Sequence, residues 1–251
     1  MKKVILLNKK EGETPLEALE HFRNKNREYK NLPMTYAGRL DPMASGLLLI
    51  LAGEECKKKE KYLKLSKEYE FEVLFGFATD TYDILGKVQY SHILKNVGMK
   101  ELEKKIKLNL KYFSGKFMQK YPAYSSKTVR GRPMFAYARR GEEVEIPERQ
   151  VTVSKLEFLK LRSISNKKLW QNIERRVGKV KGDFRQKEIL KIWRKELQGK
   201  DVGYLIASFK IKCSSGTYVR RIANSLGEKA GISTLAYSIK RKKIGKFTIV
   251  E

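Results

Sequence analysis

The chain of 251 residues holds two cysteines, Cys56 and Cys213. They lie far apart and form no C-x-x-C spacing, so neither a disulfide framework nor a zinc motif is expected. Both read as small buried hydrophobes. Long apolar runs are equally scarce: the longest uninterrupted one, Leu47 to Ala52, falls far short of the roughly 20 residues of a membrane helix. No span and no membrane partner are expected. The opening "MKKVILLNKK" has too brief an apolar patch for a signal-peptide core, and no small-residue cleavage site follows. A cytoplasmic protein is the expectation. No internal repeat is found. The remaining deficit is acid: 28 Asp and Glu stand against 55 Lys and Arg, a formal charge of +27. A surplus of this size calls for a polyanionic partner, and nucleic acid is the commonest.

With 41% hydrophobic residues the chain can bury a sizeable core. "KKVILLNK" reads as a short strand. "TPLEALEHFRNKN" reads as a helix, with Thr14 as cap, Pro15 at the first position and Glu17 three residues after the cap. "GLLLILAG" is short and bounded by glycines, which favours a buried strand. "KEYEFEVLFGF" alternates through Tyr69, Phe71, Val73 and Phe75, so one face of that strand is apolar. Helical spacing returns in "MKKELEKKIKLNL". Strands are predicted at "RQVTVSKLEFLKL" and "GYLIASFKIKCS", and a helix at "GTYVRRIANSLGEKAG", stopped by Gly231. The order predicts an α+β domain around a central mixed, largely antiparallel sheet flanked by helices and loops. Between the last two strands, residues 163–200 place Ile189, Ile192, Trp193 and Leu197 at helical spacing among charged positions. This stretch predicts one or two basic amphipathic helices, either a solvated excursion with a local core or an RNA contact.

The segment "YAGRLDPMASGLLLILAG", Tyr36 to Gly53, holds Asp41 as its single acid, between glycines and at the mouth of the apolar strand. An aspartate in such a turn most often caps nearby amides. A second segment, "IKCSSGTYVRRIANSL", puts Arg220 on the first turn of a helix. An arginine there can pair with a buried carboxylate, keep it ionised and orient it, which makes a usable nucleophile. Arg221 competes for that role. Tyr69 offers a ring for base stacking, or simply a core aromatic. Lys127, Arg130 and Arg132 read either as phosphate contacts or as a solvated basic loop, and Lys57 to Lys59 as a solvent-facing charge run.

Five ordered segments resemble one family, the bacterial tRNA pseudouridine-55 synthases known as TruB. "NKKEGET" is similar to N-K-P-x-G-x-T; "GRLDPMASGLLLILAGEECKK" to the G-x-L-D-P-x-A-[ST]-G-x-L signature; "KEYEFEVLFGFATDTYDILGKV" to the tyrosine-bearing strand and its T-D-T-x-D loop. "YPAYSSKTVRGRPMFAYARRGEEVEIPERQVTV" follows P-P-x-Y-S-A-x-K through A-R-x-G to R-x-V, and "CSSGTYVRRIANSLGEKAG" follows C-x-x-G-T-Y-[IV]-R. The resemblance covers nearly the whole chain outside residues 163–200.

The resemblance implies the pseudouridine synthase fold and isomerisation of the T-loop uridine at tRNA position 55, with no cofactor and no metal. Asp41 would be the nucleophile, attacking either C1′ of the sugar or the pyrimidine ring. Arg220 would be its partner, favoured over Arg221 by the G-T-Y-V-R match, and Tyr69 would stack on a base flipped from the RNA. Pro42 would stiffen the turn, and its glycines would let the RNA backbone approach. Tyr218 and Lys127 would wall the pocket and touch phosphate, with Lys9 a weaker basic contact. Two departures concern RNA grip. "TYAG" replaces the family's G-H-T-G, so Tyr36 stands where a histidine is usual and would stack in its place. Arg39 before Leu40-Asp41 echoes the R-L-D motif of the ribosomal large-subunit class. The expected organisation is one catalytic domain over residues 1–251, a monomer acting on the tRNA T arm without a separate PUA domain, with the 163–200 insertion partly substituting for it. The alternatives are a synthase acting on another uridine, such as one in ribosomal RNA, or a tRNA-folding chaperone on the same scaffold.

Overall fold

A computed structural model describes residues 2–92 and 98–249. In chain order the elements are β1 (Val4–Lys9), α1 (Pro15–Lys25), β2 (Met34–Ala37), β3 (Ala44–Ala52), α2 (Lys59–Leu63), β4 (Lys67–Phe75), β5 (Phe77–Thr79), β6 (Val88–Ser91), α3 (Met99–Asn109) and β7 (Gly115–Lys120). They continue with β8 (Thr128–Val129), β9 (Arg132–Pro133), α4 (Met134–Arg140), β10 (Glu148–Ser165), α5 (Asn166–Val177), α6 (Gln186–Leu197), β11 (Gly203–Cys213), α7 (Val219–Ala230), β12 (Thr234–Ile244) and β13 (Phe247–Thr248). The main sheet runs β1-β3-β12-β4-β11-β10-β7, with β2 on β3 and β13 on β12. The β3–β12 pair is parallel and the other pairs of this sheet are antiparallel. This is the mixed, largely antiparallel α+β sheet expected.

Local sequence accounts for the pieces. Glu17 and Thr14 form a reciprocal capping box at α1: the Thr14 amide donates to Glu17 Oε2 at 2.7 Å, and Glu17 N donates to Thr14 Oγ1 at 3.2 Å. β3 is covered on both faces, with Leu47 to Leu51 fully buried, so it reads as one apolar run rather than an alternation. β4 alternates up to Val73, where one face is buried and the other half-exposed, and is buried on both faces at Leu74 and Phe75. Tyr69, Phe71 and Val73 turn toward α7, packing in one cluster with Val219, Ile222 and Leu226. The glutamates between them face cations from neighbouring strands, such as Arg162 Nη2 on Glu72 at 2.9 Å and Lys210 Nζ on Glu70 at 3.5 Å.

The insertion is not a solvated excursion. β10 runs to Ser165, so the helices begin at Asn166. Leu169 and Ile173 of α5 and Ile189 and Trp193 of α6 are fully buried. They join a cluster with Phe77, Leu74, Ile206 and Leu235 of the sheet region. Polar ties add to this: Arg176 holds Glu11 through Nε at 3.0 Å and Nη2 at 2.6 Å, and Nη2 also donates to the Tyr237 carbonyl at 2.7 Å. Basic side chains such as Lys168, Arg175, Lys187 and Lys191 remain on the outer face. Of the cysteines, Cys213 is buried as expected, whereas Cys56 is half-buried. Among the described residues, no helix is long and apolar enough to cross a membrane, and no group of three His, Cys, Asp or Glu side chains is placed to hold a metal.

Candidate active site

A turn between β2 and β3 carries Asp41, and the first turn of α7 carries Arg220. Arg220 Nε donates to Asp41 Oδ2 at 2.8 Å. The two remaining arms of the guanidinium donate to main-chain carbonyls, Nη1 to Thr81 and Nη2 to Tyr124, each at 2.8 Å. The arginine side chain is 4% exposed and the aspartate 32%. Asp41 is thus held from below and open above, as a carboxylate must be if it is to meet a substrate. Burial works against the charge of Arg220, but Asp41 and Asp83 outweigh it and raise its pKa. Arg221 turns elsewhere: its Nη1 donates to Glu228 Oε1 at 2.7 Å and to Asn224. The pairing role falls to Arg220.

The pair lies at a cavity of about 450 Å³, within the size range of small-ligand sites. Tyr36 and Arg39 line it. So do Asp83, Tyr124 and two residues from the tip of the inserted hairpin, Phe184 and Arg185. Arg39 is exposed and is held by Ser126 Oγ at 2.5 Å and by the Tyr36 hydroxyl at 3.2 Å. Tyr36 also lies under the Lys59 ammonium, 5.6 Å from its ring centre.

Other predicted residues sit differently. Tyr69 is 9% exposed and packs among Leu40, Phe71 and Phe209. Burial pushes its hydroxyl pKa up, with Arg241 opposing. Tyr218 is half-buried, edge-on to Tyr121 at 5.6 Å and 5.7 Å from the Arg220 guanidinium. Lys127 is exposed over the ring of Tyr121. Lys9 is placed unlike a phosphate contact. It is 1% exposed and its Nζ donates to the carbonyls of Glu13 at 2.6 Å, Lys10 at 2.9 Å and Pro42 at 3.5 Å. Burial lowers its pKa to about 8. It ties the loop before α1 to the turn that carries Asp41.

One glycine of the signature, Gly46, has a structural account apart from RNA approach. A β-carbon on Gly46, at φ +102°, would lie 2.3 Å from the carbonyl oxygen of Arg241 on the parallel neighbour β12. Gly46 therefore permits strand contact inside the sheet.

Sequence reasoning missed three groups. Arg241, 1% exposed, donates to the carbonyls of Leu47 at 2.7 Å, Gly38 at 3.1 Å and Arg39 at 3.3 Å, and so fixes the backbone on both sides of Asp41. Within "IKRKKIGKF" nothing distinguishes it from its neighbours except the alternation of a strand. Asp83 is buried behind Arg220, accepting from Thr81 Oγ1 at 2.8 Å and from the Leu85 amide at 2.9 Å. Desolvation raises its pKa to about 6, against the pull of Arg220. It was present in the T-D-T-x-D wording but had been given no role. Arg185 is the third.

An aspartate paired to a buried arginine, in a cavity large enough for a nucleotide, beside this sheet, defines a base-modifying enzyme of the pseudouridine synthase class. Solved structures share the fold: a Cbf5-Nop10-Gar1 complex matches with a TM-score of 0.56 at 16% identity over 98% of this chain. A Nop10-Cbf5 complex matches with 0.55 at 17%. The chain spans about half the length of those proteins, 50% and 49%. The family model described as TruB family pseudouridylate synthase (N terminal domain) matches residues 26–184. The tRNA pseudouridine synthase B of Aquifex aeolicus is 30% identical over 249 residues, covering 98% of this chain and 70% of that protein. That of Lactobacillus acidophilus is 31% identical over 226 residues, covering 90% and 63%. The chain belongs to the TruB family of pseudouridylate synthases.

Proposed function

We propose that this synthase acts on tRNA, converting the T-loop uridine at position 55 to pseudouridine, with Asp41 as nucleophile. The net reaction breaks the bond from C1′ to N1, turns the base and joins C1′ to C5; C5 gives up a proton and N1 takes one. Asp41 attacks either C1′ or the ring. The observation that carries this reading is the Arg220 guanidinium, which holds the Asp41 carboxyl at the cavity while two main-chain carbonyls hold the guanidinium itself. The names of the relatives support tRNA as the substrate.

In this reading Tyr36 and Arg39 meet the T arm at the cavity rim. Lys127 lies on the exposed loop that a phosphate can reach, and Tyr218 backs Arg220. Tyr69, in the core cluster with Leu40 next to Asp41, is the ring on which the flipped base stacks in this reading. The chain works as one catalytic domain over residues 1–251, as a monomer in the cytoplasm, without cofactor or metal.

The test is an unmodified tRNA transcript incubated with the protein and with Asp41→Asn, followed by carbodiimide-dependent reverse-transcription mapping. A stop at the T-loop uridine with the wild type alone is expected. A stop at another uridine, in tRNA or ribosomal RNA, would move the target, and no stop in any RNA would leave an RNA-binding module.

A further inference from the structure

The inserted hairpin reaches the catalytic cavity through its tip, and the tip is built rather than loose. Gln186 Oε1 accepts from the Phe184 amide at 2.9 Å, and its Nε2 donates to the carbonyls of Gly182 at 2.8 Å and Val180 at 2.9 Å. Asp183 Oδ1 accepts from the Arg185 amide at 3.2 Å. Arg185 itself adopts φ 62° and ψ 25°, a left-handed conformation that costs energy for a residue with a β-carbon. Such strain persists where surrounding contacts hold it.

What holds it is a pair of segments already named. Arg185 Nη1 donates to Asp80 Oδ2 at 2.7 Å and to the Tyr124 hydroxyl at 2.6 Å, and its guanidinium lies 4.3 Å from the centre of the Tyr124 ring. Arg220 binds the same two segments through the carbonyls of Thr81, next to Asp80, and of Tyr124. Two arginines thus hold one pair of chain segments: Arg185 clamps their side chains, and Arg220 reads their main chain. A second tie runs from Arg139 Nη2 to the Asp183 carbonyl at 2.6 Å.

We infer that Arg185 is a positioning residue for the Asp41–Arg220 pair, so that the insertion completes the active site instead of serving as a separate RNA grip. Arg185 does not touch Asp41; it sets the spacing of the two carbonyls that fix Arg220, and Arg220 fixes Asp41. Its side chain is 17% exposed with its donors engaged by Asp80 and Tyr124, which is the wrong state for a phosphate contact. A lysine replaces it only in part: an ammonium can reach Asp80 and the Tyr124 hydroxyl as Nη1 does, but it gives up the second bond from Nη2 to Asp80 Oδ1 at 3.4 Å and the flat face set against the Tyr124 ring.

This inference rests on the pseudouridine synthase reading but not on the identity of the uridine. The test is therefore tritium release from C5 in total RNA labelled with [5-3H]uridine and taken from cells lacking the gene, which reads isomerisation at any site. Under single turnover, the rate at saturating enzyme and the enzyme concentration giving half that rate are measured for wild type, Arg185→Ala, Arg185→Lys and Tyr124→Phe. The expected result is a saturating rate lower by about 10- to 100-fold in Arg185→Ala, the size expected of a displaced catalytic group, with half-saturation changed less than about twofold. Arg185→Lys recovers only part of the loss. Tyr124→Phe is also slowed, and combining it with Arg185→Ala costs nothing further, since both break one clamp. A shifted half-saturation with an unchanged rate would overturn the inference in favour of an RNA grip, and so would unchanged values of both. Should Arg185→Ala lose cooperative thermal unfolding, Arg185→Lys and Tyr124→Phe decide by the same readout. Wild type releasing no tritium from any RNA would overturn the functional reading and this inference together; a variant matching an active wild type overturns this one alone.

Discussion

Asp41 and Arg220 lie 179 positions apart in the chain and meet at 2.8 Å, with Arg220 buried and Asp41 partly open. The contact uses Nε, while Nη1 and Nη2 anchor the guanidinium on the carbonyls of Thr81 and Tyr124. Arg220→Lys keeps a charge but can satisfy one or two of the three acceptors, leaving a carbonyl of Thr81 or Tyr124 without its donor. A buried acceptor left unmade costs about 1–3 kcal/mol. The expected outcome is a folded protein with urea stability lower by about that amount, and pseudouridine formation slowed at least about 100-fold because Asp41 is no longer held in one orientation. Equal activity in Arg220→Lys would show that the charge alone suffices.

Gly46 and Arg241 are the structural counterpart of that pair. Gly46→Ala places a β-carbon against the Arg241 carbonyl at 2.3 Å, in a backbone conformation that side chains avoid. A loss on the order of 3 kcal/mol or more is expected by chemical denaturation. Gly38→Ala offers the contrast. Its nearest neighbour would be Arg241 Nη1 at 3.7 Å, so only the cost of its positive φ remains, about 1–2 kcal/mol. The two variants should therefore separate clearly in denaturation midpoint.

Much of this was legible in the residues. The Thr14-Pro15-Glu17 pattern encoded a capping box, the alternation from Tyr69 to Phe75 encoded a one-sided strand, and the glycine-led turn before Arg220 encoded its helix position. Those signals are local, and local chemistry decides them. Lys9, Arg241 and Arg185 stayed hidden because what they serve is not local. Lys9 sits beside Lys10, and Arg241 among lysines. The difference between a solvated cation and a buried one is made by carbonyls that arrive from elsewhere in the fold. The insertion misled in the opposite direction: its charge suggested a separate basic arm, while its apolar stripe of Leu169, Ile173, Ile189 and Trp193 packs in one cluster with Leu74, Ile206 and Leu235 of the sheet.

Lys9 gives a pH prediction. Its folded pKa of about 8 lies below the ordinary 10.5, because burial disfavours the ammonium. The unfolded chain then binds more protons between those values, so stability rises with pH across that window. The cost is fully present below pH 8 and is relieved as pH climbs toward 10.5. Lys67, held under the carbonyls of Leu63 and Leu65 and also lowered to about 8, behaves alike. Urea midpoints should rise from pH 7.5 to 10 in the wild type, on the order of 1–3 kcal/mol for each lysine. Lys9→Met should show about half that rise, while its affinity for tRNA stays that of the wild type. A weakened affinity would restore Lys9 as an RNA contact.

Asp83 titrates with the opposite consequence. Its carboxyl, buried behind Arg220, is raised from 3.8 to about 6 by desolvation. A group raised in the folded state contributes stability that is present below pH 3.8 and lost as pH rises through 6. At pH 7 the ionised carboxylate is therefore a burden on the fold. Asp83→Asn keeps an oxygen for Thr81 and for the Leu85 amide and removes the charge. It should be more stable than wild type at pH 7, by on the order of 1–3 kcal/mol, with the difference vanishing toward pH 4. A charge kept at such a cost beside Arg220 indicates a functional return, since stability is commonly given up where activity requires it. Asp41 and Asp83 both act on the charge of Arg220, and with Asp83 silent Arg220 pulls on Asp41 alone, which makes the carboxylate proposed as nucleophile harder to release to the substrate. Pseudouridine formation by wild type should then fall as pH drops through about 6, and Asp83→Asn should be at least about tenfold slower at pH 7 and flat across that range. A variant that is both more stable and fully active would assign Asp83 to no part of the chemistry.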